Sequence, residues 1–357
     1  LSSSWTVSIA TPPARTYNPR GTSHTGRLSM NVLLTGGAGF IGSHVVRALT
    51  GAGHRCVAYD NLANGHAPAV ESVPLVRADV AEGEALRSAM REHEIDAVIH
   101  LAAFIEAGES VATPDKYFQN NTVIGLTLLD AMRDCGVHRL VFSSTAAVYG
   151  TPRRVPIEEN DTLAPINPYG ASKLCVEYML RAYAEAYDMG CVSLRYFNVA
   201  GADPAADIGE DHSPETHLVP LILQVPLGKR EKILIFGDDY DTPDGTCIRD
   251  FIHVCDLADA HVLALDAAEK GKVRVFNLGN GEGFSVKEVI ETCREVTDDE
   301  IPEELAPRRP GDPARLVASS QRAASELGWE PKYPYIKEIV SHAWAWHKSH
   351  PDGYGDR

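Results

Sequence analysis

From Met30 onward, short runs rich in Val, Ile and Leu alternate with longer stretches whose apolar residues recur every three or four positions. Runs of the first kind read as strands buried on both faces, and stretches of the second kind as amphipathic helices laid over them. On this reading Asn31 to Thr35, Arg55 to Tyr59, Leu75 to Arg77, Ala97 to Leu101 and Leu140 to Ser143 are strands. Gly42 to Thr50, Glu82 to Glu92, Pro114 to Cys135 and Tyr169 to Tyr187 are helices. The alternation predicts an α/β fold built on a doubly wound parallel sheet. After Arg195 to Asn198 it gives way to Gly-, Pro- and Asp-rich stretches such as Ala202 to Ser213 and Gly237 to Gly245. Loops of that kind build binding sites on a rigid scaffold, so a smaller α/β domain for a second ligand is expected there.

Composition narrows the class. The 357 residues are 44% hydrophobic and 23% charged, as in an ordinary soluble protein, and no run of eighteen apolar residues occurs. A formal charge of −16 argues against a nucleic-acid surface, which needs a basic face, and means that an anionic ligand requires local arginines. Seven cysteines, none two residues from another, read as reduced thiols of a cytoplasmic protein with no metal site among them. Residues 1–29 are rich in Ser and Thr, carry Arg15, Arg20 and Arg27 and hold no acid. That bias fits a transit peptide or a disordered extension, with Met30 as the expected natural start.

Three constellations carry chemistry. Gly36-Gly37-Ala38-Gly39-Phe40-Ile41-Gly42 lies between a strand and a helix, and Asp60 ends the next strand eighteen residues beyond the last glycine. Glycines permit a tight turn and close approach of backbone to a pyrophosphate at the positive end of the helix, while an acid there bonds the ribose hydroxyls. Asp60 repels a 2′-phosphate and Asn61 adds no positive charge, so NAD is expected over NADP. Tyr169 and Lys173 lie four apart at the start of a helix, on one face. Acting as a base at neutral pH, a tyrosine needs a shift of about three units, roughly 4 kcal/mol, which a neighbouring ammonium and a cationic ring together can supply. Ser143-Ser144-Thr145 follows a strand at the carboxyl edge of the sheet, and the Thr145 hydroxyl is assigned to relay a proton to Tyr169. Alone, the first pair reads as a surface helix pair and the second as a helix-capping turn. In company they read as a redox site.

These constellations, in this order from about Met30 to Trp329, resemble the extended short-chain dehydrogenase/reductase family, and within it the UDP-sugar 4-epimerases. The marks are Tyr59 to Leu62, Tyr169 to Lys173, Arg195 to Asn198, Asp244 to Thr246, Arg249 to Val254 and Arg308 to Asp312. The resemblance implies a Rossmann-type NAD domain over 30–199, with a return segment around 251–283, and a UDP-sugar domain over 200–357. It implies that Gly36, Gly39, Phe40, Ile41 and Gly42 line the NAD pyrophosphate, with Asp60 and Asn61 at the ribose. Asp79 and Val80 flank the adenine, and Leu101, Ala102, Ala103, Asn120, Tyr169, Lys173 and Phe197 line the rest of the cofactor. It implies that Thr145, Tyr169, Asn198, His217, Leu218, Phe236, Arg249, Arg309 and Asp312 hold the UDP-sugar, the two arginines clamping the diphosphate.

By the same resemblance Tyr169 takes the 4-hydroxyl proton while hydride leaves carbon 4 for NAD, Thr145 bonds the oxygen, and Lys173 holds Tyr169 ionised. Reversal on the other face of the 4-keto sugar inverts the centre, most readily for the glucose/galactose pair. UDP-pentoses and UDP-N-acetylhexosamines are alternative substrates. A 4,6-dehydratase needs an acid pair where Ala146 and Ala147 stand, and a non-catalytic NAD-binding protein has no use for an intact Thr145, Tyr169 and Lys173. The sequence departs from well-known members at Ile105, where they carry a cofactor-contacting lysine, at His217, an asparagine there, and at Leu316, a tyrosine in some. The helices over 114–135 and 169–187 resemble those that pair in the family's homodimers.

Overall fold

The computed structural model describes residues 29–309 and 312–356; the expected extension over 1–28 lies outside the described residues. Seven strands form one parallel sheet. Edge to edge they are Val273–Leu278, Gly190–Tyr196, Arg139–Ser143, Ala97–His100, Asn31–Thr35, Arg55–Asp60 and Leu75–Arg77. The chain starts in the middle, winds outward to Leu75–Arg77, then crosses back to build the other half from Ala97–His100. The order therefore reverses between Asn31–Thr35 and Ala97–His100, and the crevice beyond their carboxyl ends is where ligands of such sheets bind.

Both faces of the sheet are covered, which is why its strands read as unbroken apolar runs. On one face Leu33, Val98, Leu140 and Cys191 pack against Leu86, Ala89 and Met90 of helix Gly83–Glu92 and against Leu128, Leu129 and Met132 of helix Ile124–Cys135. On the other, Val32, Leu34, Ile99 and Val141 meet Val45, Val46 and Leu49 of helix Phe40–Gly51 and Leu257, Val262 and Leu265 of helix Val254–Ala267. Each fully buried Leu or Met contributes roughly 2 kcal/mol of transfer free energy. Helix Val254–Ala267 and the edge strand Val273–Leu278 come from far down the chain, so the late segment closes the sheet the early one begins.

The long helix expected from Pro114 to Cys135 is not uniform: Pro114–Tyr117 and Ile124–Cys135 are α-helical, and Phe118–Val123 between them is a π-helical turn. Such turns insert a residue and re-aim side chains, often beside a functional site. The later part of the chain has its own core, in which Val219, Ile222, Val289, Ile290, Ile339 and Val340 from helices Leu218–Leu223, Val286–Thr297 and Ile336–Ser349 enclose Ile233 and Ile235. Strand Ile233–Phe236 pairs in parallel with Glu303–Ala306, and Asn198–Ala200 with Phe251–His253. Among the described residues no helix is long and apolar enough to cross a membrane.

Candidate active site

The glycine segment sits at the switch point. Gly36 has φ +72°, and a Cβ on it would lie 2.7 Å from the Ala102 nitrogen, because the chain leaving Ala97–His100 crosses just above the turn. That crossing is fixed by the amides of Leu101 and Ala102, both donating to the Thr35 carbonyl. A Cβ on Gly42 would come 2.1 Å from the Gly36 carbonyl oxygen, so the helix can start this close to the turn only with glycine there. Gly39 is the N-cap of helix Phe40–Gly51, with no side-chain cap bond and no acid in the first turn. The amides of Phe40, Ile41 and Gly42 thus present the helix's positive end uncontested, as a diphosphate requires.

Asp60 is buried at the end of its strand, where its two carboxylate oxygens accept from the amides of Ala38 (3.0 Å) and Leu62 (2.8 Å). Burial raises its pKa and these two bonds oppose the rise. The side chain therefore stiffens the glycine turn and keeps a free lone pair on each oxygen for a ribose hydroxyl. Asn61 donates to Asp79 at 2.8 Å, the Asp79 carbonyl accepts from the Tyr59 hydroxyl, and Val80 is buried behind them. Leu101, Ala102, Ala103 and Asn120 are half-buried along the same crevice wall.

On the other side of the crevice, Asn167 caps helix Pro168–Tyr187 by accepting from the Gly170 amide at 2.8 Å, and Pro168 occupies the first turn. Tyr169, Lys173 and Glu177 then fall on one face, directed at the end of strand Arg139–Ser143. The Thr145 hydroxyl lies near the Tyr169 phenol and acts to lower its pKa. Thr145 also does what the plain reading of its segment expects: its hydroxyl accepts from the Ala147 amide at 3.1 Å and caps the 3-10 turn Ala146–Tyr149. The cap fixes the Thr145 hydroxyl beside the helix that carries Tyr169.

Lys173 is buried and its ammonium donates to the Ser143 carbonyl at 2.8 Å. Burial pushes Tyr169 up, the Thr145 hydroxyl opposes this, and the charge of Glu106 adds to the rise; burial also pulls Lys173 down to about 7.

Arg249 is buried and ion-paired with Asp312, and the Arg309 guanidinium lies 4.0 Å over the Phe236 ring. Asn198 stands exposed at the start of a strand, with Phe197 packed beside Leu316 against Tyr149 and Leu174. His217 ends the loop before helix Leu218–Leu223, with Nδ1 among the carboxylates of Glu210 and Glu215. The neighbouring Thr216 hydroxyl donates to Glu106 at 2.7 Å, and Glu106 in turn acts electrostatically on Tyr169, so this loop reaches the catalytic corner.

A family model for the NAD dependent epimerase/dehydratase family matches residues 32–279. The chain belongs to that family. As a member, it is 55% identical over 326 residues to the UDP-glucose 4-epimerase of Halalkalibacterium halodurans, covering 91% of this chain and 98% of the relative. A crystal structure of a UDP-glucose 4-epimerase superposes with a TM-score of 0.88 at 50% identity, covering 91% of this chain and all of the other. The Bifidobacterium longum UDP-glucose 4-epimerase, solved with NAD+ and UDP, superposes with a TM-score of 0.87 at 38% identity, over 91% and 100% of the two chains.

Sequence reasoning missed the scaffold of this epimerase/dehydratase site. Asn121, in the π-helical turn, accepts from the Phe104 amide (2.9 Å) and donates to the Phe104 carbonyl (3.0 Å) and to Ser172 (3.1 Å), tying the crevice wall to the Tyr169 helix. Glu177 accepts from Ser144 at 2.6 Å and makes a two-pronged bond with Arg195, at 2.9 and 2.5 Å. The signal for Glu177 was present, since it continues the four-residue spacing of Tyr169 and Lys173. Nothing local marked Asn121.

Proposed function

We propose that this chain interconverts UDP-glucose and UDP-galactose by NAD-dependent inversion at carbon 4. The observation that carries the reading is the Thr145–Tyr169 hydroxyl pair, fixed by a capped turn and a capped helix above the sheet's carboxyl edge, facing an uncontested helix N-terminus suited to a dinucleotide. NAD fits that cradle, with Gly36, Gly39, Phe40, Ile41, Gly42 and Asp60 holding it. Bound there, NAD supplies a reversible hydride acceptor at carbon 4.

The chain's own residues do the rest. Thr145 hydrogen-bonds the 4-oxygen and Tyr169 removes and returns its proton. Lys173, on the Ser143 carbonyl one helical turn from Tyr169, orients the corner. Arg249 and Arg309 bind the diphosphate, with Asp312 holding the first guanidinium and Phe236 stacking the second. Grip on the nucleotide with few contacts to the sugar lets the 4-keto sugar turn over and accept hydride on its other face. Ala146 and Ala147 carry no group able to eliminate the 6-hydroxyl, which separates this chain from the dehydratases of the family.

The exposed apolar side chains Phe118, Val123, Leu126, Tyr178 and Tyr187 lie on the two long helices, supporting a homodimer formed through them. The site of action is the cytoplasm, where seven unpaired thiols, including deeply buried Cys191 and Cys293 pushed up to about 12 by burial, stay reduced and inert. Separate incubations with UDP-galactose, UDP-xylose and UDP-N-acetylglucosamine test the substrate. The reading expects the hexose to turn over fastest; faster turnover of either of the others replaces it.

A further inference from the structure

The loop before helix Leu218–Leu223 brings Glu210, His212, Glu215 and His217 together. One ligand atom from each lies within 4.8 Å of all the others. Nδ1 of His212 is 3.2 Å from Oε1 of Glu210 and 3.9 Å from Oε2 of Glu215, and Nδ1 of His217 is 2.7 and 3.3 Å from Oε1 of the same two carboxylates. Four ligands at about 2.0–2.1 Å in a tetrahedron stand about 3.3 Å apart, so the 3.2 and 3.3 Å separations already fit, while the 2.7 Å pair must open and the 3.9 Å pair close by about half an ångström each.

A second observation points the same way. Glu210 is only 3% exposed, and neither its Oε1 nor Nδ1 of His217 makes an aligned hydrogen bond in spite of their 2.7 Å approach. Two buried polar atoms aimed at one point without satisfying each other are costly unless something else binds both. The cluster is also rigidly placed. The Glu210 carbonyl accepts from the Trp346 indole at 3.2 Å, and a Cβ on Gly209 would fall 2.2 Å from the Trp346 ring, so the C-terminal helix clamps the loop.

We propose that Glu210, His212, Glu215 and His217 form a binding site for one divalent transition-metal ion, with zinc the favoured occupant. Two imidazoles and two carboxylates match the nitrogen and oxygen preference of zinc and disfavour magnesium, which takes oxygen ligands and keeps its waters. The two carboxylate charges are balanced by the dication with both imidazoles neutral. Metal on Nδ1 of His217 fixes the tautomer and leaves Nε2–H as the donor next to the start of helix Leu218–Leu223. The ion thereby sets the loop that carries His217 and Leu218. The occupancy of the site stands independently of the proposed reaction, whereas its expected effect, a raised KM for the UDP-sugar with kcat little changed on metal removal, rests on it.

The test uses the full chain, stripped with EDTA, loaded with zinc chloride, desalted and assayed for metal by atomic emission. About one zinc per chain is expected, with a Tm raised by roughly 5 °C at a hundredfold excess over Kd. His212→Gln and Glu215→Gln are expected to lose both effects. Cobalt(II) in the unmutated chain gives a readout that does not depend on a variant folding: intense visible bands of a tetrahedral site, without the thiolate charge-transfer absorption that binding to a cysteine produces. Failure of the unmutated chain to retain zinc overturns the site, as does equal retention by the variants or a cobalt spectrum that is weak and octahedral or thiolate-like. None of those results bears on epimerisation.

Discussion

Replacing Glu177 with glutamine removes one charge from the most completely buried ion pair behind the active site. Glu177 and Arg195 are each 1% exposed, and the carboxylate accepts from Nε and Nη2 of Arg195 and from the Ser144 hydroxyl. The amide keeps the volume but turns one acceptor into a donor facing the guanidinium, so Arg195 is left as a buried charge without a counter-ion. Breaking such a pair from one side costs about 3–5 kcal/mol. For a chain of this size that corresponds to a fall in Tm of roughly 4–7 °C. Arg195 also donates from Nη1 to Tyr149 (2.8 Å) and to the Glu159 carbonyl (3.2 Å), so Arg195→Met is expected to cost as much. The double change Glu177→Gln with Arg195→Met removes both charges together and should be less destabilising than the sum of the single changes by at least about 1.5 kcal/mol. Thermal and urea unfolding of the four chains measure this. A Glu177→Gln chain within about 1 kcal/mol of the parent, or strict additivity in the double variant, refutes the view that desolvated charge rather than shape governs this position.

Tyr169→Phe should lower turnover at least about 100-fold with the fold and bound NAD unchanged, as expected for loss of a proton-transfer group; near-normal rates measured on UDP-galactose remove Tyr169 from its role. Gly42→Ala should release NAD during gel filtration and destabilise the chain by about 1–3 kcal/mol, because the new methyl meets a backbone carbonyl that cannot move without opening the turn; retention of the cofactor counts against the fit described. Lys173→Met should inactivate the enzyme and yet stabilise its cofactor-free form. Burial lowers Lys173 to about 7, while in the unfolded chain a lysine titrates near 10.4. Between those values the unfolded chain binds the proton more, so stability falls as pH drops through the window and the cost is complete below about pH 7. The methionine variant's advantage in Tm is therefore largest near pH 6 and gone by about pH 10; an advantage independent of pH contradicts this account.

The sheet and its first helices were legible in the sequence because burial on both faces makes their pattern local. The strands Asn31–Thr35 and Leu75–Arg77 fall at the expected residues, and the helix after the glycines begins two residues earlier, at Phe40, since glycine at its cap leaves no side chain to mark the start. The helices Val286–Thr297 and Ile336–Ser349 were not read from the pattern, although the first carries a Ser285/Glu288 capping box. In that half the loops are long and the apolar faces meet partners distant in sequence. Among the site residues, Gly36, Gly42, Asp60, Tyr169 and Lys173 are visible because their spacing is set within one turn and one helix. Asn121 and the buried partnership of Glu177 with Arg195 depend on contacts between remote segments. The electrostatics were the least legible part: burial shifts both Tyr169 and Lys173, and the depth of burial depends on packing between remote segments that spacing alone does not specify.

The most direct test of the central claim is to incubate the purified chain with UDP-galactose, without added NAD, and follow the appearance of UDP-glucose. Conversion by the protein as purified, abolished in Tyr169→Phe, is the predicted result. No conversion, even after NAD is supplied, contradicts the proposed reaction.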